Sequence, residues 1–295
     1  MHGWLVIDKP VGPGSTQIVS AVKRALREGG YPKVKVGHGG TLDPLASGVL
    51  PVALGEATKL AGRMLDADKV YEFTIGFGVE TDTLDGEGVV VAMSDVRPTT
   101  AEIEAVLARF TGEIDQVPPA YSALKVQGKR AYDRARAGEE VLLTSRKVTI
   151  HNLKILPVSD PRGVAMRGTA RSAVEGAGGG SQTPLHHSPA ANGPPPRPGE
   201  DLVTLEVRVS KGTYIRSLAR DIARALGTVG HVTMLRRTKA GPFTLEAAIS
   251  LDKLAELAKA RSLEQALLPL TAGLDDIPAL PVTPDQARAL REGRR

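Results

Sequence analysis

The sequence predicts an α+β fold, because short strand-like runs alternate with segments of helical periodicity. Trp4-Leu5-Val6-Ile7 is a short apolar strand that ends at Asp8-Lys9-Pro10. After Ser15, which we expect to be a helix N-cap, apolar residues recur at helical spacing until Gly29-Gly30. With 295 residues, of which 41% are hydrophobic, the chain suffices for one large domain, or for a large and a small one, around a buried core.

The later elements follow from the same patterns. Residues 70–93 alternate around Asp85-Gly86, which predicts two strands joined by a two-residue hairpin turn. Spacing and terminal Gly or Pro residues indicate a helix from Pro98 to Gly112, a strand restarting at Val148, a strand over 202–207, a helix from Thr213 to Gly227 and a helix over 251–268.

Residues 158–200 differ in composition from the rest of the chain. They are rich in Gly, Pro, Ser and Ala and contain few large apolar residues. Such a segment buries too little apolar surface to offset its chain entropy. We therefore expect a disordered low-complexity insertion between two strands that pair in space. A long insertion is tolerable there, because each doubling of loop length costs only about 0.6 kcal/mol.

The composition excludes several classes of site. Without cysteine, the chain has no disulfide, no Cys-ligated zinc, no iron–sulfur cluster and no thiolate nucleophile. His186-His187 has no carboxylate at ligand spacing, and the acids Asp82, Asp85 and Glu87 form an incomplete EF-hand pattern, so we expect no metal site. The chain has no apolar run of about 18 residues and no signal-peptide core, which predicts a cytoplasmic protein without a membrane segment.

Positive charge is concentrated in two parts of a chain whose formal net charge is +5. Residues 211–240 hold seven bases and one acid, and residues 121–150 hold seven bases and three acids. Residues 80–115, by contrast, hold nine acids and two bases. Basic charge gathered in this way is typical of a nucleic-acid-binding surface. Two solvated helix faces would explain the charge equally well, so charge alone leaves both interpretations open.

A glycine-rich loop frames one acidic residue. The loop reads Gly37-His38-Gly39-Gly40-Thr41-Leu42-Asp43-Pro44-Leu45-Ala46-Ser47-Gly48. Its glycines permit positive φ or the close approach of another chain, and Pro44 restricts the backbone beside Asp43. No Lys-Ser or Lys-Thr follows the glycines, so this is not a Walker-type phosphate loop. By itself the pattern fits either a reactive carboxylate or an aspartate that caps a turn.

Eight blocks of sequence carry a family resemblance. They are residues 8–12, 37–50, 55–59, 69–71, 81–85, 118–125, 210–218 and 235–237. In these blocks, which are ordered and spread over residues 1–250 outside the insertion, the chain resembles the bacterial TruB family of stand-alone tRNA pseudouridine-55 synthases. The resemblance implies a pseudouridine synthase fold, with a mostly antiparallel mixed sheet flanked by helices.

The resemblance also implies a reaction and its principal groups. Members of the family isomerise a uridine in the T-loop of tRNA after it has left its stack. Asp43 stands at the position of the nucleophile, and Arg216 at the position of an arginine whose charge keeps that carboxylate ionised. Tyr71 matches the tyrosine that stacks on the flipped base, and Tyr214 and Leu235 match residues that line the uridine pocket.

Other positions are implied to bind RNA or to support the pocket. His38 matches the histidine that meets the T-loop near the flipped nucleotide, and Lys9 and Pro10 match a block that underlies the pocket. Contacts with RNA phosphates, which position the RNA without reading its sequence, are expected from Lys125, Lys129, Arg130, Arg236 and Arg237.

The resemblance implies a domain organisation and a set of partners. We expect a catalytic domain over residues 1–250, with 251–295 forming a C-terminal helix and the truncated start of a PUA-like RNA-binding domain. The expected partner is tRNA through its T-arm, bound by a monomer that needs no membrane, no cofactor and no obligate protein partner.

Three other functions remain open at this level. An RNA-guided pseudouridine synthase of the sister family would need partner proteins. A tRNA-binding folding factor would have an idle pocket. A carboxylate-based glycosidase would need a second acid at a defined separation and leaves the basic stretches unexplained.

Overall fold

The computed structural model describes residues 1–122, 124–126, 128–139, 141, 143–157, 201–274, 277–278 and 280–293. The predicted insertion at 158–200 lies outside these residues. The described strands are β1 (Gly3–Lys9), β2 (Val36–His38), β3 (Ser47–Leu54), β4 (Lys69–Phe77), β5 (Val79–Thr81), β6 (Val90–Met93), β7 (Gly112–Gln116), β8 (Lys125–Val126), β9 (Lys129–Arg130), β10 (Arg146–Ile155), β11 (Asp201–Val209), β12 (Gly230–Ala240), β13 (Phe243–Thr244) and β14 (Ala248–Ile249). The described helices are α1 (Ser15–Glu28), α2 (Ala61–Asp66), α3 (Thr100–Leu107), α4 (Ala131–Arg136), α5 (Ile215–Ala225), α6 (Leu251–Lys259) and α7 (Pro284–Arg291).

The described strands form one ten-stranded sheet and two separate two-stranded sheets. The order in the large sheet is β14-β1-β3-β12-β4-β11-β10-β7, with β13 beside β12 and β2 beside β3. Within this sheet, as far as it is described, only β1 with β14 and β3 with β12 run parallel. The predicted fold class, a mostly antiparallel mixed sheet flanked by helices, is therefore confirmed.

Strand alternation divides the apolar residues between the two faces of the sheet. Leu5 and Ile7 of β1 belong to a large core cluster, whereas Trp4 and Val6 belong to a smaller one. The larger cluster includes the buried stripes of α1, α3, α5 and α6, and the smaller one includes Met64 of α2. The helices α1, α3, α5 and α6 thus bury the apolar faces that their sequence periodicity predicted.

The two strands on either side of the insertion pair with each other, as the sequence predicted. β10 and β11 are antiparallel, with Ile155 opposite Leu205 and Ile150 opposite Val209. β11 also pairs along its full length with β4, in the middle of the sheet. The insertion therefore joins neighbouring strands, where loop length matters least for the fold.

The predicted two-residue turn at Asp85-Gly86 is wrong. β5 and β6 do form an antiparallel hairpin, but the connection between them spans residues 82–89. Within it Leu84 has a φ of 61°, its carbonyl accepts a hydrogen bond from the Val232 amide of β12, and Asp85 is buried. Asp85, which the sequence suggests is a turn residue, instead points into the molecule, because it pairs there with the buried Arg216.

Two helix boundaries also differ from their predictions. The N-cap of α1 is Gly14 rather than Ser15, and the Gln17 side chain accepts a hydrogen bond from the Gly14 amide. The helix predicted over 251–268 ends at Lys259, because Arg261 has a φ of 52° and donates to the Gly29 carbonyl. Leu263 still packs into the core from the following 3₁₀ turn, which explains why the apolar spacing continues beyond the helix.

The predicted domain boundary at residue 250 does not coincide with a break in the packing. Leu254, Leu257 and Leu263 belong to the same core cluster as the sheet, and β14 pairs with β1. α7, by contrast, has no buried residue and contributes nothing to this core. No helix of the described residues is long and apolar enough to span a bilayer.

Candidate active site

A cavity of about 360 Å³ lies between the glycine-rich loop, the central strands and the start of α5. The structure brings six of the predicted site residues to its wall, although they come from distant parts of the chain: Asp43, Tyr71, Tyr214, Arg216, Leu235 and Arg237. A volume of this order suits a small ligand such as a single nucleotide.

The glycine-rich loop is held from α1 and β12 on the side that precedes Asp43. The Ser15 hydroxyl accepts a hydrogen bond from the Leu42 amide at 2.8 Å and donates to the Leu42 carbonyl at 3.1 Å. Arg237 donates to the carbonyls of Gly40 and Thr41, each at 3.3 Å. The Ser15 side chain therefore fixes the loop rather than capping its own helix.

Lys9 holds the same loop on the side that follows Asp43. Its buried Nζ donates to the Pro10 carbonyl at 2.8 Å and to the Pro44 carbonyl at 3.3 Å. Burial lowers the pKa of Lys9 from 10.5 to about 8, while the negative charge of Asp43 opposes that shift. Pro10 is exposed, so its contribution to the site is mainly the carbonyl group that accepts the hydrogen bond from Lys9. This placement fits the supporting role that we predicted for both residues.

Asp43 and Arg216 form an ion pair at the cavity. Arg216 Nη2 lies 2.9 Å from Asp43 Oδ2. The Arg216 side chain is 7% exposed and the Asp43 side chain 40% exposed, so the carboxylate is accessible while its partner is buried. The ion pair therefore fixes the carboxylate at the cavity wall and leaves it open to a substrate atom, as a nucleophile requires.

Arg216 is held in place by a second carboxylate and two carbonyls. Its Nη1 lies 3.3 Å from Asp85 Oδ2, and it donates to the carbonyls of Thr83 at 2.8 Å and Tyr121 at 3.0 Å. Burial raises the pKa of Asp85 above its usual value, and the positive charge of Arg216 opposes that rise. Sequence reasoning missed this role of Asp85; the available signal was its place in the matched block 81–85.

Tyr214 is positioned by a buried glutamine. Gln116 at the end of β7 accepts a hydrogen bond from the Tyr214 amide at 2.8 Å and donates to the Tyr214 carbonyl at 3.1 Å. Tyr71 of β4 and Leu235 of β12 line the same cavity from neighbouring strands. Two aromatic rings and a leucine thus face the space beside the carboxylate, as binding of a flipped base requires.

His38 does not line the cavity. It ends β2, is partly buried, and its Nδ1 makes no hydrogen bond to any described residue. Burial lowers the pKa of His38, and the charge of Arg237 lowers it further, so the ring is neutral near pH 7. Its contact with RNA remains a prediction.

The predicted phosphate contact of Arg237 is wrong. This side chain is 1% exposed and, besides its contacts with the glycine-rich loop, donates from Nε to the Val49 carbonyl at 2.8 Å. A buried guanidinium that binds three carbonyls is unavailable to RNA. Arg236 is partly exposed but binds Asp8 through both of its terminal nitrogens, at 3.1 and 2.9 Å.

The other three predicted phosphate contacts lie on one small hairpin. β8, which begins at Lys125, pairs with β9, which contains Lys129 and Arg130. This hairpin directly follows Ser122 and Leu124, which line the cavity. The backbone therefore places the three bases beside the cavity, and their phosphate contacts remain predictions.

Sequence reasoning missed several polar residues of the cavity wall, among them two cations, Lys69 and Arg146. Lys69 donates to the carbonyls of Leu65 at 2.7 Å and Ala67 at 2.6 Å, and burial lowers its pKa from 10.5 to about 8. Ser122 and Arg146 line the cavity as well. Lys69 and Ser122 lie in matched blocks, whereas Arg146 stood outside every block. Among the described residues no group of three or more His, Asp or Glu is placed to hold a metal ion.

The fold of this chain is similar to that of solved structures of Cbf5 complexes. A Cbf5-Nop10-Gar1 complex matches with a TM-score of 0.66 and 26% identity, over 99% of this chain and 67% of that one. An archaeal box H/ACA sRNP Nop10-Cbf5 complex matches with a TM-score of 0.58, 26% identity and 92% of this chain, against 61% of its own.

Relatives and family matches identify the group more closely. Residues 24–174 match the N-terminal domain of the TruB family pseudouridylate synthases, and residues 216–275 match the tRNA pseudouridylate synthase B C-terminal domain. The tRNA pseudouridine synthase B of Novosphingobium aromaticivorans is 60% identical over 100% of this chain and 85% of its own. That of Zymomonas mobilis is 57% identical, over 100% and 84%.

Fold and cavity together define a pseudouridine synthase. Within that class, the chain belongs to the TruB family.

Proposed function

We propose that this chain converts uridine to pseudouridine at position 55, in the T-loop of tRNA, with Asp43 as the nucleophile. The observation that carries the proposal is the exposed Asp43 carboxylate, 2.9 Å from a buried Arg216, at a cavity with two tyrosines. The names of the 57–60% identical relatives supply tRNA as the substrate.

The proposed reaction uses the Asp43 carboxylate, the Arg216 guanidinium and the walls of the cavity. Asp43 forms and later releases a bond to the ribose as the bond between uracil N1 and C1′ breaks. The freed base turns in the cavity, C5 bonds to C1′, and the proton lost from C5 is balanced by one gained at N1. Arg216 holds the Asp43 carboxylate in place through the ion pair, and the walls formed by Tyr71, Tyr214 and Leu235 retain the base while it is detached.

Replacing Asp43 tests the proposal directly. We expect purified Asp43→Asn to form no pseudouridine in a T-arm RNA stem-loop, because the neutral amide is not a nucleophile, while its affinity for the RNA stays within about threefold. Asp95→Asn, which changes an exposed acid outside the cavity, is the matched control and should react like the wild type. Pseudouridine is mapped at single-nucleotide resolution. Appreciable product from Asp43→Asn would overturn the assignment of the nucleophile.

The resemblance to the Cbf5 complexes supports one alternative, a synthase that works with a guide RNA and partner proteins. The two functions differ in what the purified chain does by itself. Conversion of a naked tRNA transcript without additions supports the stand-alone enzyme. A requirement for guide RNA or added proteins supports the alternative.

A second alternative is a folding factor for tRNA whose pocket is idle. It predicts that cells carrying Asp43→Asn keep the full cellular function, whereas the enzyme predicts loss of the modification. We further propose a monomeric cytoplasmic protein without an obligate protein partner, with residues 1–250 as the catalytic part and residues 251–295 as a C-terminal helix and the start of a PUA-like unit.

A further inference from the structure

Arg146 is a cation of the cavity wall that the Asp43–Arg216 pair does not use. It begins β10, is partly buried, and lines the same cavity as Asp43. Its guanidinium carbon lies 4.9 Å from the centre of the Tyr214 ring. The Tyr214 ring therefore lies between the positive charge of Arg146 and the space that the base would occupy.

The hydrogen-bonding capacity of Arg146 is largely unused. The side chain donates to the Gly212 carbonyl, but its Nε is buried and makes no hydrogen bond to a described residue. No carboxylate of the described chain pairs with it. A guanidinium has five N–H donors in a planar fork, so Arg146 retains donors for an anionic ligand.

The other cations of the cavity wall are engaged. Lys69 donates to two carbonyls, Arg237 binds three carbonyls, and Arg216 binds two carboxylates and two carbonyls. Arg216 also has a buried Nε without a described partner, but its charge is paired with Asp43 and Asp85. Among the described arginines of the wall, Arg146 is the one that pairs with no carboxylate and donates to a single carbonyl. An unneutralised, partly buried charge has a cost that an anionic ligand would relieve.

We propose that Arg146 forms a phosphodiester-binding subsite, which takes an RNA phosphate next to the flipped uridine. This inference rests on the proposed function. A flipped nucleotide carries a phosphate on each side, and a guanidinium binds phosphate oxygens through its fork. The contact with the Tyr214 ring fixes the orientation of the Arg146 guanidinium. The same contact therefore places the guanidinium beside the phosphate and the Tyr214 ring beside the base.

The salt dependence of RNA binding tests the charge. For Arg146→Gln we expect the Kd for a T-arm RNA stem-loop to rise by roughly 10- to 100-fold. The slope of log K against log salt should become shallower by about 0.7, the share of one phosphate contact. Arg109→Gln, at an exposed arginine outside the cavity, should bind like the wild type.

A modified RNA identifies the contacted group. A neutral methylphosphonate is placed on either side of the target uridine, one linkage at a time. We expect one of the two linkages to weaken binding by wild-type protein about as much as Arg146→Gln does. Combining that RNA with the variant should cause little further loss, because both changes remove one contact.

Each outcome decides the question. Additive losses, an unchanged salt slope, or a lower saturated rate with unchanged affinity would overturn the subsite, because Arg146 would then only orient Tyr214. If Arg146→Gln does not fold, the wild type still decides, since insensitivity to both methylphosphonates excludes the contact. Affinity is measured without turnover, so a wild type that binds RNA but makes no pseudouridine would overturn the proposed function alone.

Discussion

At the scale of single residues, the site depends on one guanidinium between two carboxylates. Arg216 lies within ion-pair distance of both Asp43 and Asp85, but the two acids differ in exposure. Asp43 is accessible and Asp85 is 4% exposed. The difference in burial separates a reactive acid from one that orients, because only the exposed carboxylate can meet a substrate atom.

The orienting role of Asp85 leads to a kinetic prediction. Asp85→Asn should lower the rate at saturating RNA by roughly 10- to 100-fold, because Arg216 loses one of the carboxylates that fix it. The KM for RNA should stay within about threefold, since Asp85 does not line the cavity. Arg216→Lys should lose at least as much, because a point charge cannot replace a planar fork with several fixed partners.

Single-turnover and steady-state kinetics on T-arm RNA separate these effects. Asp95→Asn again serves as the control for loss of one acid. A normal rate for Asp85→Asn, or a rise in KM at an unchanged rate, would show that Asp85 does not act through Arg216.

At the residue scale, sequence reasoning depended on local motifs. The glycine-rich loop left Asp43 open as a reactive acid or a turn cap, its match with a family block named it as the nucleophile, and that role remains a prediction. Arg237 and Asp85 were assigned wrongly, because their partners are distant in sequence. Whether a guanidinium faces RNA or three backbone carbonyls depends on burial, which periodicity does not reveal.

At the scale of elements, the parallel contact between β3 and β12 positions the glycine-rich loop. Arg236 and Arg237 lie opposite Ser47 and Gly48 at the beginning of β3. Gly48 has a φ of 101°, and a Cβ there would lie 2.2 Å from the Arg237 carbonyl oxygen. The contact therefore requires glycine for both conformation and space.

Substituting this glycine should damage both stability and activity. We expect Gly48→Ala to lower the free energy of unfolding by about 2–4 kcal/mol, from backbone strain and overlap with β12. The measurement is denaturant unfolding. Gly62→Ala is the control: it lies in α2 with no atom within 4 Å of its added Cβ, and should be neutral or stabilising. Equal stability of Gly48→Ala and wild type would contradict the contact argument.

Elements with strong periodicity were predicted well, and their ends were not. α5 follows its apolar stripe closely. The end of α6 and the β5–β6 connection depend on contacts with Gly29 and Arg216, which no local pattern reveals.

At the scale of the whole molecule, two buried lysines link stability to pH. Burial lowers the pKa of both Lys9 and Lys69 from 10.5 to about 8. Both hold backbone carbonyls around the cavity, so the enzyme buries positive charge to shape its site. Below pH 8 both lysines are charged in the folded and unfolded states, and the cost of burying that charge is fully present.

Stability should therefore rise with pH relative to variants that lack a buried lysine. Between pH 8 and 10.5 the unfolded state binds more protons than the folded state, so the free energy of unfolding increases with pH. We expect the wild type to gain up to about 2–3 kcal/mol over Lys69→Met across this range. Denaturant unfolding at several pH values measures the gain, and Lys33→Met, at an exposed lysine, is the control. A difference that stays constant from pH 7 to 10.5 would rule out the shift.

The sequence by itself determined the fold class, the pairing of strands across the insertion, and the identity of the acid in the glycine-rich loop. Each depends on local periodicity, composition or a contiguous motif. Only the tertiary structure decided that Asp85 faces Arg216, that Arg237 is buried, that Ser15 ties down the loop, and that Arg146 stacks on Tyr214. These features arise from contacts between residues far apart in the chain, whose burial and partners exist only after the sheet has formed.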